Sequence, residues 1–126
     1  QFNDYAKFVI STTSDESLHT IALISRLHTL QEKTKIEFPQ LLTASIGMQA
    51  ESGEFSEVIK KIIFQGKPFN GDQRYHLKRE LGDVLWYCAM LAREVDMNLG
   101  SIMESNLEKL ADRKARNRLQ GDGDNR

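Results

Sequence analysis

The sequence predicts an all-α protein, a bundle of four or five helices within a single domain over residues 1–118. Apolar residues recur at the three- and four-residue spacing of amphipathic helices over most of the chain. The chain has 2 prolines, both at segment edges, whereas a protein of short strands and tight turns would need more. Residues 119–126 are polar and Gly-rich, which predicts a C-terminal tail.

Two helices are predicted in the first third of the chain. A short helix covers residues 2–12, with its apolar residues in a mixed pattern. Thr13 and Glu16 have the spacing of a capping box, which marks the start of a second helix. Leu18 to Leu30 place an apolar residue at every third position, so this amphipathic helix should run to about Lys33.

The central part of the chain predicts two long helices joined by a loop. Pro39 is tolerated in the first turn of a helix, so a third helix is expected over residues 39–65. Gly66 supplies its end, because glycine adopts the left-handed conformation that closes many helices. Residues 66–71 form the clearest loop, and a fourth helix is expected from there over residues 72–95.

A last helix is predicted near the C-terminus. The run Asn98-Leu99-Gly100 should break the fourth helix. Ser101 and Glu104 form a second capping box, which predicts a helix from there to about Arg118.

Residues 84–92, in the fourth helix, are apolar on every side. Such a helix is typical of the centre of a bundle or of a subunit interface. A small four-helix protomer cannot cover it alone, so we expect a homodimer or a homotetramer.

Composition excludes several classes of function. Lys plus Arg number 17 and Asp plus Glu 18, and a net charge of −1 gives no overall field to hold nucleic acid or an anionic membrane. No apolar run approaches the roughly 18 residues of a membrane span, and residues 1–4 do not begin a signal peptide. The lone Cys88 lies in an apolar segment, as expected of a buried thiol in a reducing compartment. We therefore expect a cytoplasmic protein without membrane or nucleic-acid partners.

Four acidic residues lie on the apolar faces of two predicted helices. Glu51 and Glu54 are three residues apart, and so are Glu80 and Asp83, so each pair shares a helix face. At about 100° per residue, apolar residues of both helices fall within about 40° of the first acid of each pair. These residues are Phe55, Val58 and Ile62 beside Glu51, and Val84, Tyr87 and Leu91 beside Glu80. Ordinary amphipathic helices carry their acids on the opposite face.

Clustered carboxylates on a core face need a counter-charge. Burying an unpaired carboxylate is costly, and neighbouring carboxylates repel one another. A hard divalent cation such as Mg²⁺ relieves both problems, because it prefers oxygen ligands and keeps positions for water and phosphate. The alternative is that both pairs are solvated, since acids three residues apart are common on charged helices.

Each acid pair also contains a glycine, Gly53 in the first and Gly82 in the second. A glycine inside a helix costs about 1 kcal/mol relative to alanine. These positions predict either ordinary close helix packing or a close approach of the two acid-bearing helices.

The two acid motifs and their surroundings resemble the MazG-like all-α nucleoside triphosphate pyrophosphohydrolases. That family is marked by E-x-x-E, a spacer and E-x-x-D. Residues 51–55, Glu-Ser-Gly-Glu-Phe, are similar to its E-x-G-E-L segment, and residues 80–87, Glu-Leu-Gly-Asp-Val-Leu-Trp-Tyr, to its E-L-G-D-V-L-W-Y segment. The resemblance covers about residues 40–118.

The resemblance implies Mg²⁺-dependent hydrolysis of a nucleoside or deoxynucleoside triphosphate to the monophosphate and pyrophosphate. It implies that the four acids hold Mg²⁺, or Mn²⁺ in its place, and that one of two carboxylates acts as general base. The metal ligands would be Glu51, Glu54, Glu80 and Asp83, with Glu51 or Glu54 as the base.

A third pattern, N-x-x-K-x-x-x-R, is matched on the last helix by Asn106, Lys109 and Arg113. The resemblance implies that these residues contact the substrate phosphates. Lys109 and Arg113 alone would fit equally well as basic residues that complement a helix dipole.

Two alternatives differ in function. One is an enzyme of the same superfamily that acts on phosphoribosyl-ATP. The other is a helical oligomerisation module without activity. The presence of all four acids, at positions 51, 54, 80 and 83, argues against such a module.

Overall fold

A computed structural model of the chain describes residues 1–95 and 97–117. Within these residues the chain forms six α-helices and no β-strand, which confirms the all-α class. The helices are α1 (Phe2–Ser11), α2 (Asp15–Leu18), α3 (Thr20–Thr34), α4 (Phe38–Phe64), α5 (Gly71–Glu94) and α6 (Leu99–Ala115). The tail predicted over residues 119–126 lies outside the described residues.

The chain divides into two compact units. The first unit, Gln1–Pro39, contains α1, α2 and α3, and the second begins at Gln40 and contains most of α4 with α5 and α6. All the acids predicted to bind metal and all the residues predicted to bind phosphate belong to the second unit. The single domain expected over residues 1–118 stays a prediction.

In the first unit, the predicted second helix is two helices. His19 adopts an extended backbone, φ −131° and ψ 121°, which separates the single turn of α2 from α3. The capping box predicted at Thr13 and Glu16 is wrong, because α2 begins after Ser14. The Thr13 hydroxyl instead donates to the Val9 carbonyl at 2.5 Å. The same carbonyl also accepts from the Thr12 N–H at 3.3 Å, so the Thr13 hydroxyl adds a hydrogen bond at the end of α1 and does not cap α2.

The two long helices match their predicted bounds to within a residue. Gly66 follows α4 with a φ of 69°, in the left-handed region that glycine tolerates. The Lys67 N–H reaches across it to the Lys61 carbonyl at 3.2 Å. At the start of α5, the Asn70 side chain accepts a hydrogen bond from the Gln73 N–H at 3.1 Å. Local chemistry therefore sets both ends of this loop.

Helices α4 and α5 run antiparallel with a defined register. Arg93 Nη2, near the end of α5, donates to Gln40 Oε1 near the start of α4 at 3.2 Å. One to two turns further along each helix, Cys88 Sγ lies 3.8 Å from Met48 Sδ. Continuing in the same directions brings the two acid motifs level with each other.

Helix α6 begins earlier than predicted, and the capping box of Ser101 and Glu104 is wrong. The cap is Asn98, whose Oδ1 accepts from the Gly100 N–H at 2.7 Å and the Ser101 N–H at 3.3 Å. Its extended backbone directs the short carboxamide at the first free N–H groups. Ser101 is already inside the helix.

Much of the predicted apolar segment 84–92 is open to solvent in the single chain. Ala92 is buried, but Leu85 and Trp86 are 61% and 59% exposed. The other buried apolar residues among those described are Ala44 and Val58, both on α4. None of the described helices combines the length and apolarity that crossing a membrane requires.

Candidate metal centre

Three of the predicted metal ligands come together between α4 and α5. Glu51 on α4 and Glu80 and Asp83 on α5 each place one carboxylate oxygen within 4.8 Å of the other two. Glu51 and Glu80 are half-buried, whereas Asp83 is exposed. The three carboxylates therefore form a group with one side open to solvent, which we call the acid triad.

The acid triad lies on the apolar stripes, as the spacing predicts. On α4, Val58 is buried and Phe55 is half-buried. On α5, Val84 and Tyr87 are half-buried. Packing of these stripes draws the acids inward, because Glu51 and Glu80 share a face with them.

Glu54 is the one predicted ligand outside the acid triad. Its side chain is exposed, and its oxygens are not part of the group. It is near enough for its negative charge to raise the pKa of Glu51. Glu54 therefore borders the site as a carboxylate left outside the closest cluster.

The acids perturb one another electrostatically. The pKa of Glu51 is raised above its ordinary value, first by partial burial and then by hydrogen bonding with the Glu80 carboxyl. The negative charges of Asp83, Glu80 and Glu54 raise it further. Burial, the hydrogen bond and the neighbouring charges all disfavour the ionised form of Glu51. A cation placed among the carboxylates would favour the ionised form.

A histidine that the motif analysis missed contacts the acid triad. His76 Nε2 lies 2.9 Å from Glu80 Oε1. The two residues are four apart on α5, so they share a helix face. That spacing was the available signal, since His76 precedes a predicted ligand by one turn.

The residues predicted to bind phosphate all lie on α6 but differ in burial. Asn106 and Lys109 are exposed, whereas Arg113 is only 4% exposed. A guanidinium at that depth is suited to a role inside the fold, whereas the other two side chains lie at the surface of α6.

The glycines of the acid motifs do not mediate a close approach within the chain, so that interpretation is wrong. A Cβ added at Gly53 or Gly82 would meet no atom within 4 Å outside its own helix backbone and chain neighbours. The close contact is at Gly47, one turn before Glu51, where an added Cβ would clash with the Tyr87 ring. Periodicity did not distinguish Gly47, because its role depends on the residue facing it from α5.

Comparison with known families supports the resemblance. The model of the MazG nucleotide pyrophosphohydrolase domain matches residues 40–117, more than half of the chain. The chain belongs to the MazG family. The MazG match begins at the first residue of the second compact unit and includes both acid motifs and the residues 106, 109 and 113 on α6.

A phage protein is similar in sequence to part of this chain. The chain is 41% identical over 83 residues to the Gene 37 protein of Mycobacterium phage L5, which covers 65% of this chain and 73% of that protein. That name states no activity. No solved structure matches the chain.

The ligand types of this MazG domain suit a hard divalent cation. MazG enzymes are generally metal-dependent, and the triad offers carboxylate oxygens alone. Such oxygens suit hard divalent cations as a class, whereas structural zinc sites are built largely from cysteine and histidine. The three carboxylate oxygens, which lie within 4.8 Å of one another, would need only small side-chain adjustments to hold one such cation.

Proposed function

We propose that this MazG protein is a Mg²⁺-dependent enzyme that hydrolyses nucleoside or deoxynucleoside triphosphates to the monophosphate and pyrophosphate, and so controls nucleotide pools. One observation carries the proposal: Glu51, Glu80 and Asp83 place carboxylate oxygens within 4.8 Å of one another, in a chain of the MazG family. A cation among them would offset both the mutual repulsion of the three carboxylates and the cost of their partial burial.

The acid triad would hold Mg²⁺, or Mn²⁺ in its place. When bound, the ion would neutralise phosphate oxygens and favour displacement at phosphorus. Asp83 is exposed, so the open side of the site can admit a triphosphate.

Glu54 is our candidate for the general base. It lies one turn from Glu51 on α4 and outside the acid triad, so its oxygens are the ones least committed to metal. An exposed carboxylate beside the site can accept the proton of an attacking water. Glu51 is the other candidate by sequence, but its place within the triad favours a ligand role.

Asn106 and Lys109 would contact the distal phosphates. Both are exposed on α6, and an ammonium group complements the charge that develops on departing pyrophosphate. Arg113 was predicted to share this role, but its burial favours a position inside the fold.

The proposed activity is tested with a panel of nucleotides in Mg²⁺, in Mn²⁺ and in EDTA. Phosphorus NMR should show monophosphate and pyrophosphate with either metal and no products in EDTA. We expect a deoxynucleotide such as dCTP, dUTP or dGTP to be preferred. Stepwise release of single phosphates, or equal hydrolysis in EDTA, would contradict the proposal.

The same panel separates the two alternatives. Including phosphoribosyl-ATP tests the related activity, and cleavage of that compound alone would replace the proposed substrate. Complete inactivity towards every nucleotide in both metals would favour a non-catalytic helical module.

We also propose that the protein functions as a homodimer or a homotetramer. Leu85 and Trp86 present large apolar side chains to solvent on α5, and Ile46 on α4 is 67% exposed. A second copy of the chain would remove this apolar surface from water.

A further inference from the structure

His76 is placed to act on the acid triad without belonging to it. Its Nε2 lies 2.9 Å from Glu80 Oε1. Among the hydrogen bonds described, His76 makes none with Glu51 or Asp83. The Glu80 side chain is 14% exposed, whereas the His76 side chain is 51% exposed. The imidazole is thus the more exposed partner of the pair.

The pairing of a ring nitrogen with a carboxyl oxygen suits a hydrogen bond. A carboxylate can only accept, so the tautomer of His76 that carries its hydrogen on Nε2 is the one that can donate to Glu80 Oε1. The bond restrains rotation of the Glu80 carboxylate, which otherwise turns easily about its last torsion. Metal-binding carboxylates are commonly held by such bonds from residues that do not touch the metal.

Stabilisation of α5 does not by itself explain the pair. In isolated helices, the favourable order places the acid four residues before the base, and here the order is reversed. The pair therefore adds little to helix stability, and its main effect is to restrain the Glu80 carboxylate.

We infer that His76 is a positioning residue for the metal centre, which orients the Glu80 carboxylate by donating to its Oε1. The inference rests on the proposed function, because it gives His76 a role in holding one of the ligands of the same metal site. It names His76 as a residue that sets metal affinity without contacting the metal or the substrate.

Metal binding to the full-length, metal-depleted protein tests the inference. Free Mn²⁺ is followed by electron paramagnetic resonance during titration of the wild type, His76→Ala, His76→Gln and His28→Ala. Loss of an outer hydrogen bond to a ligand costs about 10- to 100-fold in metal affinity, so His76→Ala should bind Mn²⁺ that much more weakly. His76→Gln should recover most of the loss, because its amide can donate near the place of Nε2. His28→Ala, on α3, should bind as the wild type does.

Two further measurements separate positioning from folding and from catalysis. The melting temperature of His76→Ala in EDTA should stay close to that of the wild type. In turnover, the Mg²⁺ concentration for half-maximal rate should rise by about the same 10- to 100-fold, whereas kcat at saturating Mg²⁺ should stay close to wild type.

The outcomes distinguish this inference from the proposed function. Wild-type Mn²⁺ affinity in His76→Ala, or an equal loss in His76→Ala and His76→Gln, would overturn the role of His76 and leave the proposed function standing. A fall in EDTA melting temperature that accounts for the weaker binding would also overturn it. A wild type that binds no Mn²⁺ would overturn both.

Discussion

Gly47 on α4 packs directly against the ring of Tyr87 on α5. A Cβ built at position 47 would lie 2.8 Å from Tyr87 Cε2 and closer still to Cε1 and Cζ. This contact is one turn from Glu51 and one turn from Asp83, so it sets how near the acid-bearing helices come at the metal centre. Only glycine at position 47 allows the ring this position.

Gly47→Ala should therefore destabilise the protein. Forcing a methyl group into an occupied space costs about 1–3 kcal/mol, which exceeds the gain of about 1 kcal/mol from replacing a helical glycine. Gly53→Ala is the matched control on the same helix, where a Cβ meets nothing within 4 Å, and it should raise stability. Urea unfolding in EDTA measures both. A Gly47→Ala protein more stable than the wild type would show that the Tyr87 contact is absent.

Neutralising an acid of the triad should abolish turnover without unfolding the protein. Asp83→Asn removes a metal ligand and also relieves repulsion with Glu51 and Glu80. We expect a large loss of pyrophosphate release and a melting temperature in EDTA that is unchanged or raised. Glu57→Gln is the charge-matched control, since Glu57 pairs with Lys60 at 3.0 Å outside the triad, and it should keep its activity.

Glu54→Gln should separate catalysis from metal binding. If Glu54 accepts the proton of water, this variant loses turnover by about 100-fold or more and still binds Mn²⁺ as the wild type does. Asp83→Asn should lose both. Mn²⁺ titration and initial rates of pyrophosphate release measure the two effects, and weakened Mn²⁺ binding in Glu54→Gln would make Glu54 a ligand instead.

The raised pKa of Glu51 predicts a pH dependence of stability in the absence of metal. The folded state holds a proton on Glu51 that the unfolded state has already released, so stability should fall as pH rises from about 4.5 through the raised pKa. Glu51→Gln should flatten this fall. The pKa of Glu57 is lowered, first by a hydrogen bond from Lys60, so Glu57→Gln should lose stability near neutral pH and not at low pH.

Thermal melting in EDTA over about pH 4 to 8 compares the two variants with the wild type. Added Mg²⁺ should remove most of the wild-type fall, because the cation offsets the repulsion among the carboxylates. A wild type that grows more stable across the window in which Glu51 titrates, together with an unchanged profile in Glu51→Gln, would contradict the electrostatic account.

Lys109→Ala should weaken the preference for a triphosphate. A lost charge-assisted hydrogen bond costs about 1.5–3 kcal/mol, or about 10- to 150-fold in kcat/KM. The ratio of kcat/KM for the triphosphate over the diphosphate is the measurement. Lys114→Ala is the matched control, since Lys114 is also exposed on α6 and lies outside the predicted pattern. Equal effects of the two substitutions would show that Lys109 contributes only its positive charge and makes no specific phosphate contact.

The chain should assemble in solution. Light scattering over a range of micromolar concentrations should give the mass of a dimer or a tetramer of the 14.4 kDa chain. Trp86→Lys should shift the mass towards the monomer, because it places a charge in the exposed apolar surface of α5. A wild type that remains a stable monomer at these concentrations would contradict the assembly.

Local signals in the sequence were sufficient for the two helices that carry the site. Pro39, Gly66 and Asn70 act through their own backbone geometry or through neighbours a few residues away, so the ends of α4 and α5 were predictable. The placement of Glu51 and Glu80 on apolar stripes follows from the helical repeat alone. The MazG resemblance and the helical class were therefore accessible without coordinates.

Local rules failed where two groups competed for one partner. The Thr13 hydroxyl bonds back to α1, and Asn98 caps α6 ahead of Ser101. In both cases the residue type was suitable for a cap, but the backbone on either side decided which polar group it reached. The break at His19 has the same character, because an apolar repeat continues through it.

Sequence by itself determined the helical class, the ends of α4 and α5 and the faces on which the acids lie, because each depends on residues within a few turns of one another. Tertiary structure decided that Glu51 joins Glu80 and Asp83 while Glu54 remains outside, and that Gly47 rather than Gly53 makes the close contact. These outcomes depend on the register of α4 against α5. That register is set by side chains up to 53 residues apart in the chain, such as Gln40 and Arg93, and the repeat within one helix carries no information about it.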